Sequence, residues 1–214
     1  MKKSIAVLGL GKYGASLAKN MYEMGADVLI VDQDQDKLKE LNGFCTAAVC
    51  ADITNEDEVI SLGLKNMDIV AVAMAGNLAA SIMAVAVAKE QGVPLIVAKS
   101  SSDRMTSILK KIGANKVIVP EEYGGEQSAR ILSSDTFLDY FKVDGNLCMI
   151  EINPLPKWVG KNMMELNVRK NYKANVIASK RGSSWKIMDP AEALEEDDLL
   201  LIVVERKDLH RLNK

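Results

Sequence analysis

Three glycines near the start of the chain, Gly9, Gly11 and Gly14, stand in the spacing G-x-G-x-x-G, and Asp32 follows 18 residues after the last of them. Each suits a separate task in holding a phosphate ester. Gly9 allows a tight turn out of a strand, Gly11 lets the main chain approach a diphosphate, and Gly14 lets a helix pack closely. The start of that helix offers unpaired N–H groups and a partial positive charge to the diphosphate. Asp32 can accept hydrogen bonds from both hydroxyls of a ribose, and its charge repels a 2′-phosphate. Its place at a strand tip implies that alanine there weakens nucleotide binding and leaves the fold intact.

Other polar side chains fall near the same place. Lys12 lies within the glycine loop, where it either reaches terminal phosphates or stays solvated at a helix start. Asp52 and Ile53 follow a third strand, where this arrangement brackets an adenine. Glu121 and Glu122 end a sixth strand at the carboxyl edge of the sheet, and as an isolated pair they read as solvated. The acidic run "EALEEDD" reads as a solvated hairpin before the last strand rather than as a calcium loop.

Several chemistries lack their residues. There is no Tyr-x-x-x-Lys pair to donate a proton to a carbonyl, and no G-x-x-x-x-G-K-[ST] loop for nucleotide hydrolysis. The only histidine is His210, near the end of the chain and read as solvent-facing, which makes a zinc site improbable. The three cysteines, Cys45, Cys50 and Cys148, read as reduced, buried, small hydrophobes of a cytosolic protein.

The elements that must position these residues follow a regular beat. "SIAVLG" is a continuous apolar run, as in a strand buried on both faces. Tyr13, Leu17, Met21 and Met24 then recur at helical spacing, and "DVLIVD" is a second strand. "TAAVCAD", "DIVAVAM", "PLIVAKS" and "KVIVP" continue the series. Asn55, Asn77 and Ser102 or Asp103 open the intervening helices, and Gly43, Gly92 and Gly113 close helices at 35–42, 78–91 and 103–112. This β-α-β-α alternation implies an α/β fold: a Rossmann-like, doubly wound, six-stranded parallel sheet over residues 1–120. Residues 121–141 read as a crossover helical linker with Ala129, Ile131, Leu132, Phe137, Leu138 and Phe141 on one stripe. Residues 142–214 read as a small α+β domain with strands at 146–152, 174–180, 184–188 and 199–205, and a short helix at its end.

Composition narrows the partners. Lys+Arg 27 against Asp+Glu 29 gives a net charge of -2, which argues against nucleic acid or anionic lipid as a bulk electrostatic partner. Aromatic residues are 5% of the chain, too few for a base-stacking platform. The longest apolar runs are strand-length, so the sequence predicts no transmembrane segment.

Taken together, the segments resemble a known family: the RCK (or KTN) regulatory subunits of Ktr and Trk potassium uptake systems, built from TrkA-N and TrkA-C domains. "IAVLGLGKYGASLAKNMYEMGADVLIVDQDQDKL" is similar to the family's first Rossmann unit, and "ADITNEDEVISLGLKNMDIVAVAMAGN" to its third and fourth strands. "LKKIGANKVIVPEEYGG" resembles the segment that ends its nucleotide-binding domain. "VGKNMMELNVRKNYKANVIASKRG…DPAEALEEDDLLLIV" is similar to its C-terminal domain. The resemblance covers essentially the whole chain.

The resemblance implies a cytoplasmic regulatory subunit, peripheral at the inner face of the membrane through a membrane-embedded potassium-translocating subunit. It implies a homo-oligomer, from a dimer to an octameric ring, without enzymatic activity, that switches on ATP/ADP or NAD(H). By matching position, Gly9, Gly11, Gly14, Asp32, Asp52, Asn77 and Lys99 would be pocket residues, with Lys12, Tyr13 and Ile53 beside them. Glu121 matches a glutamate that holds a Mg, Ca or Na ion near the nucleotide. Cyclic di-AMP is implied as a second ligand, held by Arg169, Asn175, Val176 and Pro190. A small NAD-dependent oxidoreductase is the competing reading, weakened by the missing catalytic constellation.

Overall fold

The computed structural model describes residues 2–74, 76–134 and 136–213. The chain divides into two compact units, Met1–Glu122 and Tyr123–Lys214.

The first unit alternates strand and helix without exception. In order it runs β1 (Ser4–Leu8), α1 (Lys12–Glu23), β2 (Asp27–Asp32), α2 (Gln35–Glu40), β3 (Ala47–Cys50), α3 (Glu56–Ser61), β4 (Ile69–Val72), α4 (Leu78–Glu90), β5 (Leu95–Lys99), α5 (Asp103–Ile112) and β6 (Lys116–Ile118). The strands form one parallel sheet in the order β3-β2-β1-β4-β5-β6. The chain therefore leaves β1 toward β2 on one side and reaches β4 on the other. That reversal opens a crevice outside the carboxyl ends of β1 and β4, where such sheets place their ligands.

The two faces of β1 explain its apolar run. Side chains alternate across a strand, so Ala6 and Leu8 enter one core cluster with Val70 and Ala84, while Ile5 and Val7 enter the opposite one with Val28 and Ala18. Ala6, Val7 and Leu8 are fully buried. Burying each of the larger two stabilises the fold by about 1.5–3 kcal/mol relative to exposure. Polar side chains set the helix starts. Asn55 accepts from the amides of Asp57 and Glu58, Asn77 from Ala80, and Ser102 from Met105, at the positions where the sequence predicts helix entry.

β3 departs from expectation. It is an edge strand whose four residues are all exposed. Cys50 is exposed and Cys45 half-buried, so only Cys148 is the buried thiol predicted for all three. The cause is position: an edge strand has one neighbour instead of two.

A sixth helix, α6 (Pro120–Leu132), contains the boundary between the two units. The second unit then forms β7 (Phe137–Lys142), β8 (Leu147–Ile152), α7 (Met163–Leu166), α8 (Val168–Tyr172), β9 (Ala174–Arg181), β10 (Ser184–Ile187) and β11 (Leu199–Glu205), and a 3₁₀ turn over Arg206–Arg211. Its strands pair antiparallel in the order β10-β9-β11-β8-β7. Ile150, Ile152, Leu200 and Ile202 project from one face of this sheet onto Trp158 and Leu194, all fully or almost fully buried.

The predicted helix over 121–141 is therefore corrected. It ends at Leu132, and "FLDYFK" is an edge strand that pairs with β8 through a register shift between Phe137 and Asp139. Its aromatic residues favour a pleated surface. The irregular register buries Phe137 and Tyr140, which stand three apart, and so mimics a helical stripe in the sequence.

The acidic run is neither a hairpin nor wholly solvated: it joins β10 to β11, which are not neighbours in the sheet. Glu195, Glu196 and Asp197 are exposed, but Asp198 is 2% exposed. It receives a two-pronged pair from Arg181, Nε–Oδ1 at 2.7 Å and Nη2–Oδ2 at 2.9 Å, and the Glu195 amide donates to it as well. The Arg181 hydrogen bonds hold the Asp198 carboxyl below its ordinary pKa against the opposing effect of burial. No group of three or more metal-type side chains gathers among the described residues.

Candidate functional site

At the crevice, the glycine turn is built by close contacts. Gly9 has φ +94°, and a Cβ there would fall 2.5 Å from Met74 Cγ. Met74 is held on the far wall, where the Ser81 hydroxyl donates to its carbonyl at 2.9 Å. Gly14 is a second close approach: a Cβ would lie 2.0 Å from the Gly9 carbonyl oxygen and 3.0 Å from Ala73 Cβ. Gly11 differs from both, with nothing within 4 Å of its absent side chain. It stands at the N-cap of α1 in extended geometry, and no side chain caps that helix. The first turn of α1 thus keeps N–H groups available beside open space, an arrangement suited to a phosphate.

Asp32, at the tip of β2, is 6% exposed. Its Oδ2 accepts the Leu10 amide at 2.7 Å, and its Oδ1 accepts the Asp34 amide at 3.0 Å. Lys37 Nζ lies 3.4 Å from both oxygens. Burial alone would raise this carboxyl, but the two amides and the Lys37 ammonium outweigh it and hold the pKa below the ordinary value. Asp32→Ala, expected from the sequence to leave the fold intact, therefore bears on the turn as well as on the cavity. The acid ties the glycine turn to β2, and removing it orphans the Leu10 amide.

Gly9, Gly11, Asp32, Asp52, Ile53, Asn77 and Lys99 all line one cavity of about 420 Å³. That volume falls within the range of small-molecule sites. Asp52 Oδ1 accepts from the Thr54 hydroxyl at 2.7 Å and the Thr54 amide at 2.8 Å, which lowers its pKa. Its other oxygen makes no hydrogen bond among the described residues. Lys99 ends β5 with a side chain only 16% exposed, and its Nζ meets Glu121 Oε1 at 2.6 Å. That bond, chiefly, lowers the Glu121 pKa.

Four of the expected residues do not line the cavity. Gly14 is buried beneath the turn, and Tyr13 packs against the core cluster of Ile5 and Val7. Burial raises its phenol pKa. Lys12 is exposed at the first position of α1. Glu121 touches the cavity only through Lys99. Conversely, Leu10, Lys37, Thr54 and Met74 line it without having been singled out in the sequence. Lys37 was legible as a cation five residues after the acid. Met74 carried no signal, since only the fold brings it opposite Gly9.

In the second unit, Arg169, Asn175, Val176 and Pro190 are brought together. They line a second cavity of about 420 Å³, with Met163 and Met188 among its apolar walls. Arg169 Nε donates to Asn175 Oδ1, and the Met163 amide donates to the Pro190 carbonyl at 3.1 Å. Asn162 caps α7 in a reciprocal box with Glu165, which fixes the start of that wall.

The comparisons with known proteins agree with this architecture. Residues 5–120 match the TrkA-N domain, and residues 147–214 match the TrkA-C domain. The chain is 34% identical over 215 residues to Ktr system potassium uptake protein C of Bacillus subtilis (strain 168), covering 100% of this chain and 97% of the relative. It is also 34% identical to Ktr system potassium uptake protein A of the same organism, over 98% of this chain and 95% of the relative. Among solved structures, the GsuK channel bound to NAD superposes with a TM-score of 0.65 at 16% identity, covering 99% of this chain and 39% of that one. At that identity the likeness speaks for the fold.

Proposed function

Because the chain belongs to the family that joins a TrkA-N to a TrkA-C domain, we propose that it is the nucleotide-binding regulatory subunit of a potassium uptake system. It acts at the cytoplasmic face of a membrane-embedded potassium-translocating partner. No helix among the described residues is long and apolar enough to cross a membrane, so translocation falls to that partner. The observation that carries the reading is the cavity at the carboxyl edge of the first sheet, where an uncapped helix N-terminus faces open space above Gly11 and a buried Asp32 stands opposite.

An adenine nucleotide, ATP/ADP or NAD(H), fits this donor set. The α1 amides and Gly11 would hold the diphosphate, Asp32 the ribose, and Asp52 with Ile53 the adenine. Lys99 supplies a cation for a terminal phosphate once Glu121 releases it. A metal ion accompanying the nucleotide would compete with Lys99 for Glu121, because that carboxylate is already paired. In the second unit, Arg169, Asn175, Val176 and Pro190 provide a cationic and apolar wall suited to cyclic di-AMP.

The protein needs no catalytic group for this work. A homo-oligomer that binds one nucleotide better in one of its shapes shifts its population toward that shape. The relevant test is physiological: cells lacking this chain, but keeping the partner, are grown at limiting potassium. Uptake should fall and recover with the wild-type gene but not with a Gly11→Ser variant. Unchanged uptake in the deletion would contradict the assignment.

A further inference from the structure

Lys37 was absent from the expected site, yet it shares the most buried acid of the cavity. An ionised carboxylate offers about four acceptor positions. On Asp32 the Leu10 and Asp34 amides occupy two of them at 2.7 and 3.0 Å, and Lys37 spans both oxygens at 3.4 Å. A ribose diol directed at Asp32 must find its acceptors among the positions that Lys37 covers. The two amides cannot withdraw, because they belong to the glycine turn and to the entry of α2, where the Asp34 side chain caps the helix at the Asp36 amide. Lys37 can. It is the longest-range of the three donors, and its side chain is 43% exposed against 9% for Asp32. Its departure into water moves no main chain.

We propose that Lys37 sets the sugar specificity of the nucleotide cavity, as a resident competitor that the ribose hydroxyls displace from Asp32. The inference rests on the nucleotide reading of the cavity. Its consequence is specific. In the wild-type protein, a nucleotide lacking the 2′-hydroxyl leaves an acceptor that Lys37 reoccupies, so the loss of the hydroxyl costs little. Without the ammonium, that acceptor is left unpaired next to the bound sugar, and the loss costs more. Lys37 thereby makes the site tolerant of the sugar, and its removal makes the site selective.

The test compares ADP with 2′-deoxy-ADP by isothermal titration on full-length wild-type, Lys37→Met and Lys37→Arg proteins. The two ligands carry equal charge, so the general attraction of Lys37 for phosphate cancels in the ratio of their dissociation constants. The ratio should rise by about tenfold or more in Lys37→Met, given the strength of hydrogen bonds to charged groups, and should stay near wild type in Lys37→Arg. An equal or smaller ratio in Lys37→Met, with ADP binding intact, would overturn the role of Lys37 and leave the nucleotide site standing. Failure of the wild-type protein to bind either nucleotide would overturn both.

Discussion

The Asp32 carboxylate accepts the Leu10 amide at 2.7 Å, so the residue read from the sequence as a ribose anchor also fastens the glycine turn. On the proposed nucleotide reading, binding and folding are coupled at this one side chain. Asp32→Ala leaves the Leu10 amide buried without an acceptor, at a cost of about 1–3 kcal/mol. Urea unfolding of the variant should show that loss alongside weaker ADP binding. A variant as stable as wild type would contradict the double role.

The pH dependence has a definite sign. The folded-state pKa of Asp32 lies below its unfolded value. Its contribution to stability is therefore present above the unfolded pKa, near 4, and is lost as pH falls through the depressed folded value. The stability gap between wild type and Asp32→Asn should be constant from pH 7 to 5 and shrink below pH 4. A gap that widens on acidification would contradict the depressed pKa.

The glycines of the turn should separate when mutated. At Gly14 a Cβ collides with the Gly9 carbonyl oxygen at 2.0 Å, whereas at Gly11 it meets nothing. Gly14→Ala should destabilise by about 1–3 kcal/mol through overpacking. Gly11→Ser should hold or raise the melting temperature, because serine is a good N-cap for a helix that has none. The same substitution fills the space over the α1 amides and should abolish nucleotide binding.

In the second unit, the pair of Arg181 and Asp198 ties the acidic run before β11 to the end of β9. Asp198→Ala should cost about 3 kcal/mol, the lower end for a broken buried pair, since Arg181 remains partly exposed beside Glu192 and Glu195. Calcium should not restore the loss; a calcium-dependent recovery would revive the ion-binding reading of this run.

Self-association is expected from surface composition. Leu132 is 84% exposed, Tyr123 66% and Leu138 50%, all on α6 and β7. Light scattering should report a dimer or a larger even assembly, and a monomer at micromolar concentration would contradict it.

What the sequence disclosed follows physical logic. The first sheet was legible because each strand is a compact apolar run and the helices after α1 begin at polar caps such as Asn55 or Asn77. The turn residues were legible because glycine spacing encodes backbone contact. Three features were hidden. β7 mimicked a helix because a register shift put its buried aromatics three apart. Asp198 looked solvated because its partner, Arg181, lies 17 positions away at the end of β9. Met74 joined the cavity through the loop after β4, and neither motif nor periodicity marks that approach.

On the proposed function, the glycine-turn cavity senses a nucleotide without consuming it. Titration of ATP, ADP and NADH into the full-length protein, with the ligand recovered and its products quantified, tests this directly. Saturable binding that Gly11→Ser removes, with every nucleotide recovered intact, is the predicted result. Absence of binding at millimolar nucleotide, or steady hydrolysis or NADH oxidation that Gly11→Ser abolishes, would contradict it.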